Sequence, residues 1–351
     1  WQPEVLHVND WHTALAALLV AHQVRTDTWK NPPKVCLTIH NLAYQGVFPH
    51  STFPLTNLPA TMFVPEVAEF YGQLNCLMAG ISAANIITTV SPRYAREITT
   101  AEFGAGLDGL LRRRQSALVG ILNGVDYEEW RTTGNPFLAA SYSRADLSGK
   151  ATCKQALQTE LGLTPSATTP LFGVVTRIAE QKGLGIMLGA LEEMLSTDMQ
   201  FVLLGSGAPE YERSLLELAA RFPRQVGIRI GYDQALAHRI EAGSDFYLMP
   251  SQFEPCGLNQ MYSHRYGAVP VVRRTGGLDD TVVDVLEDAD RANGIKFTEY
   301  STHALAKAIR KALVLFEDLE LLSLYRQNGM ALDFSWNEAV TRYVEVYRRQ
   351  T

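Results

Sequence analysis

Cysteine is scarce in this chain: only Cys36, Cys76, Cys153 and Cys256 occur among 351 residues. None forms a Cys-x-x-Cys pair, and no cysteine–histidine grouping has zinc-ligand spacing, so no metal site is read here. Such usage fits a reducing compartment. Long apolar runs are missing too. The longest, Ala14 to Ala21, is far short of a membrane span. Basic residues form no long run and the net charge is -6, so neither nucleic acid nor a membrane is an expected partner. The short cluster Arg112, Arg113, Arg114 sits beside leucines and reads as a helix face. No internal repeat, low-complexity tract, signal peptide or transit peptide is visible. The chain opens at Trp1 almost directly on a buried-looking strand, Val5 to Val8, which gives the expectation of a start inside a longer gene product.

What is present is ordinary soluble composition, 46% apolar and 19% charged, at a length that suggests two domains. Short apolar runs alternate with helical patterns. In the first half, strands are expected at Val5–Val8, Lys34–Ile39, Ile86–Thr89 and Leu118–Leu122. A helix is expected over Thr13–Val24, and another opens at Ser91-Pro92, an N-cap followed by a first-turn proline. In the second half, strands are expected at Leu171–Val175, Gln200–Leu204, Val226–Ile230, Phe246–Met249, Val269–Val272 and Ile295–Phe297. Helices fall at Leu184–Leu195, Glu210–Arg221, Gln234–Ala242 and Thr302–Phe316. This rhythm predicts an α/β fold with parallel sheets covered on both faces, which bind ligands beyond the carboxyl ends of their strands. Leu163–Pro170, rich in Pro, Ser and Thr, reads as the domain break. The expected domains are 1–165 and 166–334, with a last helix over Trp336–Arg349 behind the plausible N-cap Ser335.

Four segments carry candidate chemistry. Pro250 to Gln260 follows a strand and precedes a helix; its turn residues Cys256, Gly257, Leu258 and Asn259 and the carboxylate of Glu254 suit an anion or a sugar. Arg177 and Lys182, five apart at the end of a strand, suit a diphosphate. Thr275-Gly276-Gly277 allows close backbone approach to a phosphate or sugar, whereas Gly205-Ser206-Gly207 is weaker, lacking the full dinucleotide fingerprint. Asn9-Asp10-Trp11-His12 and His40-Asn41-Leu42-Ala43-Tyr44-Gln45-Gly46 follow strands of the first half. Each alone also fits a plain turn or a solvated loop, and a lone His12 fits a structural histidine.

Taken in order, these segments resemble glycosyltransferase family 5, the bacterial glycogen synthases and plant starch synthases. The likeness also runs through Ser91-Pro92-Arg93-Tyr94-Ala95-Arg96-Glu97-Ile98, Leu122-Asn123-Gly124-Val125-Asp126 and Arg273-Arg274-Thr275-Gly276-Gly277-Leu278, and so spans essentially the whole chain. The resemblance implies two Rossmann-like domains facing a cleft (GT-B), with residues 335–351 crossing back onto the first. It implies a retaining transfer of glucose from ADP-glucose to an α-1,4-glucan, with no cofactor. Arg177 and Lys182 would hold the donor diphosphate, with Glu254 and His40 beside the glucose. Asp10 and Asn41 would line the glucose pocket, and Tyr232 would stack on adenine. The family's Lys-x-Gly-Gly-Leu loop is not found, so the first domain is expected to be incomplete. An inactive nucleotide- or glucan-binding remnant is therefore a rival reading. A bacterial cytoplasmic location is expected, or a plastid for a plant or algal source.

Other enzyme patterns fit less well. The Glu-x7-Glu pattern of related transferases fails because Tyr262 stands eight residues after Glu254. Asp288-Ala289-Asp290 spells a metal-binding Asp-x-Asp but sits in a charged run and reads as a solvated loop. Nothing resembles a pyridoxal-binding segment. No retaining-hydrolase pair of carboxylates is identifiable, which favours front-face transfer with the departing diphosphate aiding acceptor deprotonation.

Overall fold

The computed structural model describes residues 2–26, 29 and 31–348. Trp1 and Arg349, named above at the chain start and the end of the last helix, lie outside them. The chain divides into two compact units: Trp1–Asn123 with Asn337–Thr351, and Gly124–Trp336.

The first unit runs β1 (Val5–Asn9), α1 (Asp10–Arg25), β2 (Lys34–Ile39), β3 (Val47–Pro49), β4 (Glu69–Phe70), β5 (Gln73–Asn75), α2 (Cys76–Ala83), β6 (Ile86–Thr89), α3 (Pro92–Glu97), α4 (Asp108–Arg113) and β7 (Leu118–Gly120). Strands β1-β2-β6-β7 form a parallel sheet in that order. Every residue of β2 after Lys34 is buried, as expected of a strand covered on both faces. Helices α1 and α2 approach closely through small residues: a Cβ at Gly80 would lie 2.7 Å from that of Ala14. Ser91 caps α3, accepting from the Tyr94 amide at 2.8 Å. The arginine cluster is split in role. Arg112 pairs with Asp108 one turn back at 2.7 Å. Arg114 instead turns inward and donates to the carbonyls of Ile81, Ser82 and Ala84, which α2 leaves unpaired at its end. Strands β3, β5 and β4 form a small antiparallel sheet.

The second unit runs α5 (Ser148–Glu160), β8 (Leu171–Ile178), α6 (Leu184–Met194), β9 (Gln200–Gly207), α7 (Pro209–Arg221), β10 (Val226–Ile230), α8 (Gln234–Gly243), β11 (Phe246–Met249), α9 (Asn259–Arg265), β12 (Val269–Arg273), α10 (Gly276–Thr281), β13 (Ile295–Phe297), α11 (Thr302–Glu317) and α12 (Leu319–Met330). Its six parallel strands are ordered β10-β9-β8-β11-β12-β13. The winding direction reverses between β8 and β11, which makes that pair the topological switch point. The two strands pair only at Phe172↔Phe246 and Gly173↔Tyr247, then part.

Residues 124–165, expected in the first domain, lie in the second unit. The reason is α5, which buries Leu157 with Ile240 of α8; a Cβ at Gly243 would sit 2.7 Å from the Leu157 side chain. The Pro/Ser/Thr segment that reads as a domain break is a loop tied down inside this unit. Gln200 donates to the Thr164 carbonyl at 2.7 Å and Gln158 to that of Ser166 at 2.9 Å.

The chain enters and leaves the second unit side by side: Val125 pairs in parallel with Ser335, and its amide donates to the Phe334 carbonyl at 2.8 Å. Helix α13 (Trp336–Arg348) then packs on the first sheet. Val346 is buried with Cys36, Ile86 and Ile121, and the Tyr347 hydroxyl lies 2.6 Å from His7 Nδ1. No helix among the described residues is long and apolar enough to cross a membrane.

Candidate active site

Where β8 and β11 part, a cavity of about 200 Å3 opens at the carboxyl ends of the strands. Arg177, Lys182, Glu254, Gly257, Leu258 and Asn259 line it, together with Val175, Tyr247 and Ser251. The strand–turn–helix connections after β8 and β11 deliver the charged groups, and they are locked to each other. The Gln252 amide donates to the Gln181 carbonyl at 2.8 Å, and the Gln181 side chain to that of Phe253 at 3.3 Å. Gly183 closes the turn that carries Lys182 at φ +77, and a Cβ there would fall 2.1 Å from the Pro250 oxygen. Only glycine fits this left-handed, crowded position.

Lys182 Nζ lies 2.6 Å from Glu254 Oε2, and Ser251 Oγ donates to the same oxygen at 2.9 Å. Glu254 is only 6% exposed, and a buried carboxylate requires partners of this kind. Arg177 is exposed at the end of β8 and makes no ion pair among the described residues.

The other residues expected at this site differ in what they do. Cys256 is buried. Gly276 has φ +44, and a Cβ on it would lie 1.9 Å from the Glu254 carbonyl oxygen; at Gly277 it would lie 1.9 Å from that of Cys256. The Gly277 amide donates to the Glu254 carbonyl at 3.1 Å. The glycine pair therefore seats the Glu254 turn against the start of α10, beside buried Thr275. Asn259 opens α9 and directs Nδ2 to the Val175 carbonyl and the Tyr247 hydroxyl, both at 2.6 Å. Tyr232 is 90% exposed, follows Gly231 and does not line the cavity. Tyr247 and Ser251 were not singled out from the sequence; a serine three residues before a buried glutamate was the available signal for the second. Asp288 uses its carboxylate on its own turn, accepting from the amides of Asp290 and Arg291 at 3.1 Å.

In the first unit, Asp10 opens α1 with φ 52, an uncommon conformation for a residue other than glycine. Its two carboxylate oxygens take the His40 amide at 2.8 Å and His40 Nδ1 at 2.9 Å. Burial pushes the Asp10 carboxyl up, but the His40 hydrogen bonds outweigh it and hold its pKa below the usual value. Asp10 is therefore ionised and Nδ1 donates to it, which fixes the ring and leaves Nε2 turned away from the carboxylate. Asn41 accepts from the Ala43 amide at 3.0 Å, an Asx turn that shapes the loop after β2.

Two units built on parallel sheets, with two cations and a buried carboxylate at the switch point of the second, define a GT-B glycosyltransferase. Residues 1–113 match the family described as starch synthase catalytic domain, and residues 163–325 match glycosyl transferases group 1. Glycogen synthase of Anaeromyxobacter sp. (strain Fw109-5) is 49% identical over 347 residues, which cover 99% of this chain and 73% of that one. The catalytic domain of starch synthase IV from Arabidopsis thaliana, bound to ADP and acarbose, is 35% identical with a TM-score of 0.92, covering 99% of this chain and 73% of that one. Anabaena Alr3699/HepE in complex with UDP and glucose shares the fold, at 16% identity and a TM-score of 0.63, covering 98% of this chain and 77% of that one. The chain belongs to the glycogen and starch synthase family of glucosyltransferases.

Proposed function

We propose that the chain transfers glucose from ADP-glucose to the 4-hydroxyl at the non-reducing end of an α-1,4-glucan, with retention at the anomeric carbon. The observation that carries this reading is a single cavity at the switch point lined by Arg177, Lys182 and the buried Glu254. Cleavage of the glycosyl–diphosphate bond places negative charge on the departing diphosphate and positive charge on the anomeric carbon. The Arg177 fork and the Lys182 ammonium oppose the first, and the Glu254 carboxylate opposes the second. Lys182 directs one N–H at Glu254 and keeps two for phosphate oxygens.

Glu254 is the one carboxylate among the described residues lining this cavity, and its pairing with Lys182 and Ser251 favours an electrostatic role over that of a nucleophile. Front-face transfer follows: the bond from the anomeric carbon to the diphosphate oxygen breaks, the bond to the acceptor oxygen forms, and the acceptor proton passes to the departing diphosphate. His40, oriented by Asp10, offers Nε2 to a glucose hydroxyl, with Asp10 and Asn41 shaping the wall around it. Tyr232 presents an exposed ring to adenine. The ADP bound to the Arabidopsis relative supports an adenine nucleotide as donor. A cytoplasmic setting belongs to the same reading.

Calorimetric titration with ADP and with UDP tests the donor assignment. ADP is expected to bind more tightly than UDP, and Arg177→Ala to weaken it about tenfold or more, as loss of a bidentate phosphate contact does. A cooperatively folded chain that ignores ADP, or an Arg177→Ala variant that binds it normally, overturns the assignment.

A further inference from the structure

The amino-terminal ends of β8 and β11 frame a second cavity, of about 440 Å3, at the edge of the sheet opposite the one that carries Glu254. Helices α5 and α12, the loop 165–167 and the end of α11 line it. Three cations face it, Lys150, Lys154 and Arg326, with one carboxylate, Asp245. Lys154 Nζ lies 2.7 Å from Asp245 Oδ2, and Arg326 Nη2 lies 2.8 Å from Oδ1. Lys154 is saturated, since it also donates to the Thr169 carbonyl at 2.7 Å and the Ala167 carbonyl at 3.3 Å.

The other two cations are not saturated. Lys150 is fully buried and donates to the carbonyls of Ala242 and Tyr266, both at 2.9 Å, which uses two of its three N–H groups. Arg326 Nε is buried with no hydrogen-bond partner. Nor does a second acid balance the charge. Glu241, whose charge also acts on Lys150, is fully buried, and burial pushes its carboxyl up to about 8, so it is mostly uncharged at neutral pH. Burial, and then the repulsion of Arg326, draw the Lys150 ammonium down to about 7 against the opposing pulls of Asp245, Cys153 and Glu241. Lys154 and Arg326 against Asp245 thus leave one positive charge in excess, and Lys150, about half protonated near neutral pH, adds up to a second, an arrangement that a counter-charge in the cavity stabilises.

We propose that this cavity is a second ligand site, selective for a small phosphomonoester dianion. A phosphomonoester carries about -1.5 to -2 at neutral pH, enough to offset that excess with Lys150 drawn fully into its charged form, whereas a single carboxylate offsets only the fixed charge. Lys150 and Arg326 supply charge-assisted hydrogen bonds to the phosphoryl oxygens. The volume lies within the range of roughly 300–1,000 Å3 typical of small-molecule sites and exceeds what a bare phosphate fills. Thr152, Gln155 and Ser166 line the remainder together with Phe316 and Leu322, which suits a hydroxylated body with some apolar surface. Because the site stands at the other end of the strands, its ligand does not compete with the nucleotide at Glu254.

The test is calorimetric titration of the full chain with inorganic phosphate and, separately, ribose 5-phosphate, each with and without saturating ADP. Binding is expected to persist in the presence of ADP and to weaken about tenfold or more in Arg326→Gln. Tighter binding of ribose 5-phosphate than of phosphate assigns recognition of the body as well; equal binding assigns the phosphate itself. Lys150→Met places a neutral side chain in the buried slot. It is expected to abolish binding, and a thermal melt reports whether it folds. No binding of either probe to the native chain, or undiminished binding in Arg326→Gln, overturns the proposal.

Discussion

The phenol of Tyr247 spans the gap between β11 and β8 and engages both backbone groups of Val175: it accepts from the amide at 2.7 Å and faces the carbonyl at 3.1 Å. Strand pairing stops at Tyr247 itself, so these two groups have no sheet partner across the gap. The side chain stands in for the missing ladder and keeps the cavity open beneath Arg177. Burial holds the Tyr247 pKa well above its usual value, so the hydroxyl stays protonated. Tyr247→Phe strips the Val175 amide of its partner and is expected to cost about 1–3 kcal/mol in urea denaturation. An unchanged midpoint would show that water replaces the hydroxyl at no cost.

The Lys182–Glu254 pair gives the most direct test of the chemistry. Lys182→Ala and Glu254→Gln are each expected to lower glucosyl transfer from ADP-glucose by about 100-fold or more, the scale of losing one preorganised charge at a reacting centre. Lys182→Ala also strands the buried carboxylate and should lower the melting temperature. Near-native turnover in either folded variant removes that residue from the proposed machinery.

Asp10 fixes the tautomer of His40, and Asp10→Asn separates that role from backbone shape. Asparagine tolerates the left-handed conformation at this position, so the helix start should survive. The carboxamide offers a donor where His40 needs an acceptor or takes its oxygen only at the loss of charge. Transfer is expected to fall about 10- to 100-fold, by analogy with the cost of misorienting a catalytic histidine. Equal kcat/KM in the variant would mean that the His40 tautomer does not matter.

Glu241 sets a pH signature of stability. Its carboxyl titrates at about 8 in the fold against a reference of 4.5, because burial outweighs the Ser263 hydrogen bond and the Lys150 charge. Between those values the folded chain binds more protons than the unfolded one, so this group makes stability fall as pH rises from about 4.5 to about 8. Glu241→Gln removes that dependence. Denaturation midpoints at pH 5 and pH 8 should converge in the variant relative to the native chain; identical pH slopes would show that Glu241 is ionised in the fold.

The strands of both parallel sheets are legible because doubly covered strands appear as short apolar runs between turn residues. Strand β8 runs past the expected Val175 to Ile178, since the polar Thr176 and Arg177 still pair with Gly205 and Ser206. Helix α5 escapes the reading for the opposite reason. Its buried face is built partly from Lys150, Lys154 and Gln158, so it shows no clean apolar stripe. That helix also moves the expected domain boundary. The two- and three-residue strands of the small antiparallel sheet are too short for alternation to register. At the site, Lys182 and Glu254 stand out through their motifs, but the contact between them joins positions 72 residues apart. Tyr247 lies hidden in the apolar strand Phe246–Met249, where an aromatic residue signals core rather than a bridge.

Helix α13 closes the first unit with residues that follow the whole of the second. Topologically, Gly124–Trp336 is an insertion within the first unit, while the second is continuous in sequence. The first unit therefore cannot be complete until every residue of the second has been joined to it. The earlier-encoded half is thus the one completed last in sequence, its patch of Cys36, Ile86 and Ile121 uncovered until Val346 is in place.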